Sequence, residues 1–232
     1  MERVLAMSAR RGAVVLSTLL LGACAAAGPP RGPEYEPANT PEAKSSCPKE
    51  AQAAKQARED AIGAEESEPR EKAAAAVFAQ AECERRLFDA LHIDGVSPED
   101  FKMSVGDAKA QFYTAQNLYL EVVAFNIPGW TVGGYSRLGD LYAAYAGKLR
   151  KSDPGPGVGE GTGRATWLAE IEPIAAPVDH DSLDYYGKSL DVVMMGPPNF
   201  ADDPAISPFV KSACNAIKQG APSRLDGYPP CR

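Results

Sequence analysis

The sequence predicts an all-α fold, and three observations carry the prediction. Alanine, glutamate, lysine and arginine dominate long stretches, and β-branched runs are few. Apolar residues recur at spacings of three and four. No stretch alternates apolar with polar side chains as a half-buried strand does. The expected architecture is a bundle of helical hairpins behind an extended N-terminal tether, with residues 48–232 as the helical domain.

Residues 1–23 read as a signal peptide. Arg3, Arg10 and Arg11 form a positive leader. Gly12 to Leu21 forms an apolar core, too short for the roughly 20 residues that span a bilayer. It ends in Leu21-Gly22-Ala23-Cys24, a lipobox pattern in which Cys24 receives a diacylglycerol and the chain is cut just before it. The alternative is an ordinary secretory signal with an incidental cysteine. Cleavage would remove three Arg and one Glu, leaving 21 basic against 30 acidic side chains, a net charge of about −9. Such a body has no basic stripe for phosphates, so nucleic acid is not an expected partner. An anionic membrane surface would repel it, leaving the acyl chains on Cys24 to hold it there.

Residues 24–47 form the tether. Pro29, Pro30, Pro33, Pro37 and Pro41 remove backbone donors and leave little apolar content, which favours a semi-extended spacer. Residues 48–95 have helix composition, and Gly63 and Pro69 interrupt them, predicting a helical hairpin. Val77, Phe78, Ala81, Leu87, Phe88 and Leu91 give its second half the stronger apolar set. The turn bears on the cysteines. In one straight helix Cys47 and Cys83 would stand about 50 Å apart, whereas a hairpin brings them together. With Cys214 and Cys231 they make an even set beyond Cys24, expected in an oxidising compartment as two disulfides. Cys47–Cys83 and Cys214–Cys231 are the favoured pairs, since each brackets a helix and its return. The alternative leaves some thiols free.

Residues 97–220 carry the remaining helices. Ser97-Pro98-Glu99-Asp100 is a helix start, with Ser97 as cap and acidic residues at the positive end of the dipole. Phe101, Val105, Ala108, Phe112, Ala115, Tyr119 and Val122 then form one seam to about residue 124. After a break at Asn126-Ile127-Pro128-Gly129, a helix over Trp130 to Leu149 presents Tyr135, Leu138, Tyr142, Tyr145 and Leu149. Residues 152–163 read as a Gly/Pro loop, and its glycines lack the Gly-Lys-Ser/Thr of a phosphate loop. A short helix over Arg164–Glu172 is expected to stop near Pro173 and Pro177. A separate one runs from Asp181 to Met194, with Leu183, Tyr186, Leu190 and Val193 inward. Ser207-Pro208 opens a last helix ending at Gly220, and residues 221–232 form a tail pinned by Cys231.

Tyr135-x-x-Leu138-Gly139-x-x-Tyr142 resembles the first-helix signature of a tetratricopeptide repeat, with Tyr in place of Trp. Ala108-x-x-x-Phe112-x-x-Ala115 resembles its second-helix signature, and Ser182-x-x-x-Tyr186-x-x-Ser189 does so with serine for alanine. Small residues let two helices approach while the aromatic fills the hole between them. Joining Tyr142 to Ser182 as one repeat needs about thirty extra residues where the family has a short turn. Phe112 to Met194 is also similar to the closing portion of tetratricopeptide envelope proteins of the gliding-motility type. That resemblance implies helical hairpins of the partner-binding kind, and with no catalytic constellation in the sequence a non-enzymatic protein without a cofactor is expected.

Asp179-His180-Asp181, with Asp184 nearby, is the cluster whose residue types suit metal ligation or proton transfer. The competing reading is a helix N-terminus, with Asp179 or Asp181 as cap. A cysteine nucleophile is disfavoured because oxidation consumes the thiols, and Gly-x-Ser-x-Gly is absent. Among the aromatics, Trp130 and Tyr185 are the candidate exposed, partner-binding residues. The leading expectation is a lipid-anchored adaptor on the periplasmic face of the outer membrane, since Ala25 rather than Asp after Cys24 resembles lipoproteins sent there. Its partners are the membrane, through lipid on Cys24, and another envelope protein. The alternatives are a metal-dependent envelope enzyme or ligand binder using His180, and a structural spacer.

Overall fold

A computed structural model describes residues 47–64, 66–153 and 164–231. The expected signal peptide, Cys24, the tether to residue 46 and most of the 152–163 loop lie outside them. Among the described residues six α-helices run in order: α1 (Pro48–Ala61), α2 (Ser67–Ala90), α3 (Pro98–Ala124), α4 (Pro128–Lys151), α5 (Arg164–Met195) and α6 (Ser207–Gly220). Short 3-10 turns follow at Phe200–Asp202, Pro222–Gly227 and Pro229–Cys231. Among the described residues no strand forms, and the fold is an all-α bundle.

Each helix packs on its neighbours in sequence, and α4 lies at the centre, also touching α2 and α6. The break between α1 and α2 falls at Gly63, whose φ of 74° is open to glycine at no steric cost. Cys47 is bonded to Cys83, which ties the start of α1 to α2. That bond matters because α1 buries only Ala54 fully. Ser97 caps α3 by accepting from the Asp100 N–H at 3.1 Å. The α3 seam from Ala108 to Val122 is buried as its spacing predicts. Rather than ending a break, Pro128 starts α4, where its missing N–H costs nothing. Lys148 of α4 donates to the carbonyls of Asp89 (2.9 Å) and Leu91, satisfying acceptors in the last turn of α2 and just past it.

The expected pair of helices at 164–172 and 181–194 is corrected: α5 is continuous, with Pro173 and Pro177 inside it. The two prolines are four residues apart and both exposed, so the unpaired carbonyls they create face water. Ile171 and Ala175, on the opposite side, are buried. Arg150 of α4 forms a bidentate pair with Glu172 (2.8 and 2.9 Å) and a further pair with Asp179, spanning the proline segment. Packing and charge on one face outweigh two lost hydrogen bonds on the other.

The contact between α4 and α5 is the most extensive in the bundle. A Cβ on Gly139 would stand 2.7 Å from the Tyr186 ring, so the ring lies directly on the α4 backbone. Ser182 and Ser189 donate to the carbonyls of Gly139 (2.8 Å) and Val132 (3.0 Å). The small-aromatic-small spacing noted in the sequence is therefore the packing surface of this pair. The Tyr186 hydroxyl donates to Asp140 Oδ1 at 2.6 Å, which also accepts from Ser212 of α6. Arg137 joins Asp140 to Glu82 of α2, and Tyr119 of α3 donates to Glu82. A half-buried polar web thus links five helices. Cys214–Cys231 closes the C-terminal tail onto α6.

Candidate interaction surface

The α4 seam read from the sequence is only half-buried at its tyrosines. Leu138 is fully buried, whereas Tyr135, Tyr142 and Tyr145 keep part of their rings accessible. Helices α3 and α5 flank this face of α4 and add Tyr113 and Tyr185, both half-buried. The rings form a continuous row. Tyr135 stacks with Tyr185 at 6.3 Å between centroids, and Tyr185 meets Tyr142 at 5.0 Å with an interplanar angle of 52°. Phe112 beneath them contacts Tyr142 (5.0 Å), Tyr145 (4.8 Å) and Tyr113 (5.4 Å).

Polar groups edge the row. Gln116 of α3 donates to the Tyr142 hydroxyl at 2.6 Å. Lys188 stands 4.8 Å from the Tyr185 ring centroid and 5.9 Å from that of Tyr135. At the other end Lys109 stands 5.8 Å from the Tyr113 ring. Both lysines are exposed and lie within cation–π range. Burial raises the hydroxyl pKa of Tyr135, Tyr142 and Tyr145, and neighbouring tyrosines raise each further. All three stay protonated at neutral pH and can donate hydrogen bonds.

Tyr185 lies in this row, half-buried, while adjacent Tyr186 is 5% exposed and turned into the core. Of the two residues expected to be the more exposed, Tyr185 is more open than Tyr186, and Trp130 is likewise half-buried. Trp130 packs on Phe78 of α2 at 5.4 Å between centroids, away from the tyrosine row. Its position at the first turn of α4 directs it to the α2 side of the bundle. Tyr113, Lys109, Gln116 and Lys188 were not singled out in the sequence. The signal for Tyr113 was its place beside Phe112, since adjacent aromatics on a helix cannot both point inward.

The Asp179-His180-Asp181 cluster is corrected in its setting: it sits within α5, not at a helix start, so neither aspartate caps. Asp179 pairs with Arg150. Asp184 accepts from Arg224 at 2.7 Å, and His180 Nδ1 lies 3.4 Å from Asp184. Ligand atoms of His180, Asp181 and Asp184 fall within 4.8 Å of one another. A cation there would compete with the Arg224 guanidinium for Asp184. Burial and the neighbouring Asp184 carboxylate raise the pKa of Asp181. Cys47, Cys83, Cys214 and Cys231 are consumed in disulfides and offer no thiolate.

No helix among the described residues is long and apolar enough to cross a membrane. No protein-family model, curated protein or solved structure matches the chain.

Proposed function

We propose that this chain is a lipoprotein, acylated on Cys24 and held at the periplasmic face of the outer membrane, whose helical body docks an envelope protein without catalysing a reaction. The observation that carries the docking part is the row of five half-buried tyrosines across α3, α4 and α5, with an exposed lysine at each end. Rigid aromatic side chains with polar tips supply contact area at low entropic cost, which is why tyrosine is enriched at binding surfaces. The anchoring part rests on Leu21-Gly22-Ala23-Cys24 and the proline-rich segment behind it. The α4–α5 pair, with its serine and glycine contacts around Tyr186, supports reading this region as a tetratricopeptide-like hairpin.

Metabolic labelling with radioactive palmitate tests the anchor. Label is expected on the wild-type chain and lost in Cys24→Ser, with the protein released from the membrane fraction. Equal labelling of the two chains would overturn it. Detergent-extracted wild type is expected to recover an envelope protein that Tyr185→Ala does not. Equal recovery would remove the tyrosine row from the function.

A further inference from the structure

We propose that Cys47–Cys83 is a load clamp, which passes tension from the N-terminal anchor directly into α2 and keeps α1 out of the line of force. This rests on the Cys24 anchor reading above and adds how the body bears a pull between its lipid and a docked partner. The chain enters the described fold at Cys47, one residue ahead of α1, and Cys47 is 1% exposed. The disulfide joins it to a residue 36 positions on, in the second half of α2. A pull arriving at residue 47 therefore has two covalent routes. The route along α1 and the turn is folded chain, which lengthens as it unfolds. The route across the S–S bond cannot lengthen without breaking a covalent bond, so it carries the tension.

The two routes are held very differently. Helix α1 buries one residue fully, Ala54. Arg58 adds an ion pair with Glu121 of α3, Nη2 to Oε2 at 2.8 Å, about one-third exposed on each side. Pairs of that exposure contribute little, and an element with so few buried contacts opens at low cost. Residue 83, in contrast, is braced on both sides. Glu82 accepts from Tyr119 of α3 and pairs with Arg137 of α4 at 3.1 Å. Glu84 is 2% exposed, and its carboxylate (2.8 Å) and backbone carbonyl (2.9 Å) both accept from the Gln111 amide of α3. Ala81 and Phe88 nearby are fully buried. Tension delivered at Cys83 is thus shared at once with α3 and α4.

The clamp also limits reach. Were α1 to peel, residues 48–66 would join the segment ahead of Cys47 and lengthen it by up to about 65 Å. With the disulfide closed, that length stays inside the covalent loop and a pull cannot draw it out.

Optical tweezers test this on the full chain, held by an N-terminal tag and by a click handle at exposed position 188 beside the tyrosine row. Cys47→Ser/Cys83→Ser is expected to show a first event at lower force than any in the wild type, releasing about 65 Å of chain. Should the double variant not fold, two variants that keep the disulfide decide the question. Gln111→Ala, at the brace, is expected to lower the force of the first wild-type event, and Arg58→Ala, on α1, to leave it unchanged. Circular dichroism confirms the fold of each variant, and thiol titration confirms the disulfide. An equal first force with and without the disulfide, a lower force in disulfide-bonded Arg58→Ala, or no effect of Gln111→Ala would overturn the clamp. The measurement needs neither acylation nor a partner. If the force events are as expected while Cys24 carries no palmitate, the lipid anchor falls and residue 83 remains the point where an N-terminal pull enters the body. The reverse pattern removes the clamp and leaves the anchor.

Discussion

Gly139→Ala is the sharpest perturbation of the α4–α5 contact. The new methyl would lie 2.7–2.8 Å from three atoms of the Tyr186 ring, inside van der Waals contact. The ring has nowhere to retreat. It is 5% exposed, and its hydroxyl is held by Asp140 at 2.6 Å. Moving it loses that bond, about 1 kcal/mol, and overpacking a tight core costs about 1–3 kcal/mol. Against this, alanine is worth about 1 kcal/mol over glycine inside a helix. The net expectation is a loss of about 1–3 kcal/mol. Gly106 of α3 is the matched control, since a Cβ there meets nothing within 4 Å. Gly106→Ala gains the helix propensity alone and is expected to stabilise by about 0.5–1 kcal/mol. For a domain of this size each kcal/mol shifts Tm by about 2–4 °C. Thermal and urea unfolding should move the two variants in opposite directions. If both are stabilised alike, α4 and α5 are not in the contact described.

Removing Cys47–Cys83, which closes a loop of sequence separation 36, should destabilise by about 4 kcal/mol in the chain-entropy account. Hydrogen exchange in that variant should rise first in α1, whose fully buried contribution is Ala54. Tyr119, Tyr142 and Tyr186 all have raised hydroxyl pKa values, chiefly from burial. Their stabilisation is full below the unfolded tyrosine value of about 10 and falls as pH rises toward the raised folded values, by up to about 4 kcal/mol per pH unit for the three together. The tyrosinate absorbance contributed by these three, isolated by comparison with phenylalanine variants at each position, should therefore rise together with the unfolding signal at alkaline pH. Its rise ahead of unfolding would show these hydroxyls to be accessible. His180 is 63% exposed at its side chain, so His180→Ala should change stability by less than about 0.5 kcal/mol, with or without divalent ions. A metal-dependent rise in Tm lost in this variant would instead establish a cation site at His180.

The helices were legible wherever periodicity and caps agreed. Ser97-Pro98-Glu99-Asp100 marked the start of α3, and Gly63 with Pro69 located the α1–α2 break. That break permitted the favoured Cys47–Cys83 pair, because only a hairpin brings the two together. Continuity of α5 was not legible. Pro173 and Pro177 are local stop signals, and the Arg150 contacts that override them come from a residue in another helix. The wrong setting of Asp179 and Asp181 followed from that same stop. The site was half legible. Tyr135, Tyr142, Tyr145 and Tyr185 stood out as aromatics at helical spacing, but periodicity alone gives no measure of how much of a ring the neighbouring helices cover. That depends on α4 lying between α3 and α5, a tertiary fact. Lys109 and Lys188 gain their meaning only from the rings beneath them.

The central claim is that the tyrosine row is the face this protein presents to a partner. Photo-cross-linking in intact cells measures it most directly, with the cross-linker at position 188, beside Tyr185, or at exposed position 55 on α1. The account predicts a discrete adduct with one envelope protein from position 188, absent from position 55 and lost when Tyr185→Ala is added. No adduct from position 188, or the same adduct from both positions, would contradict it.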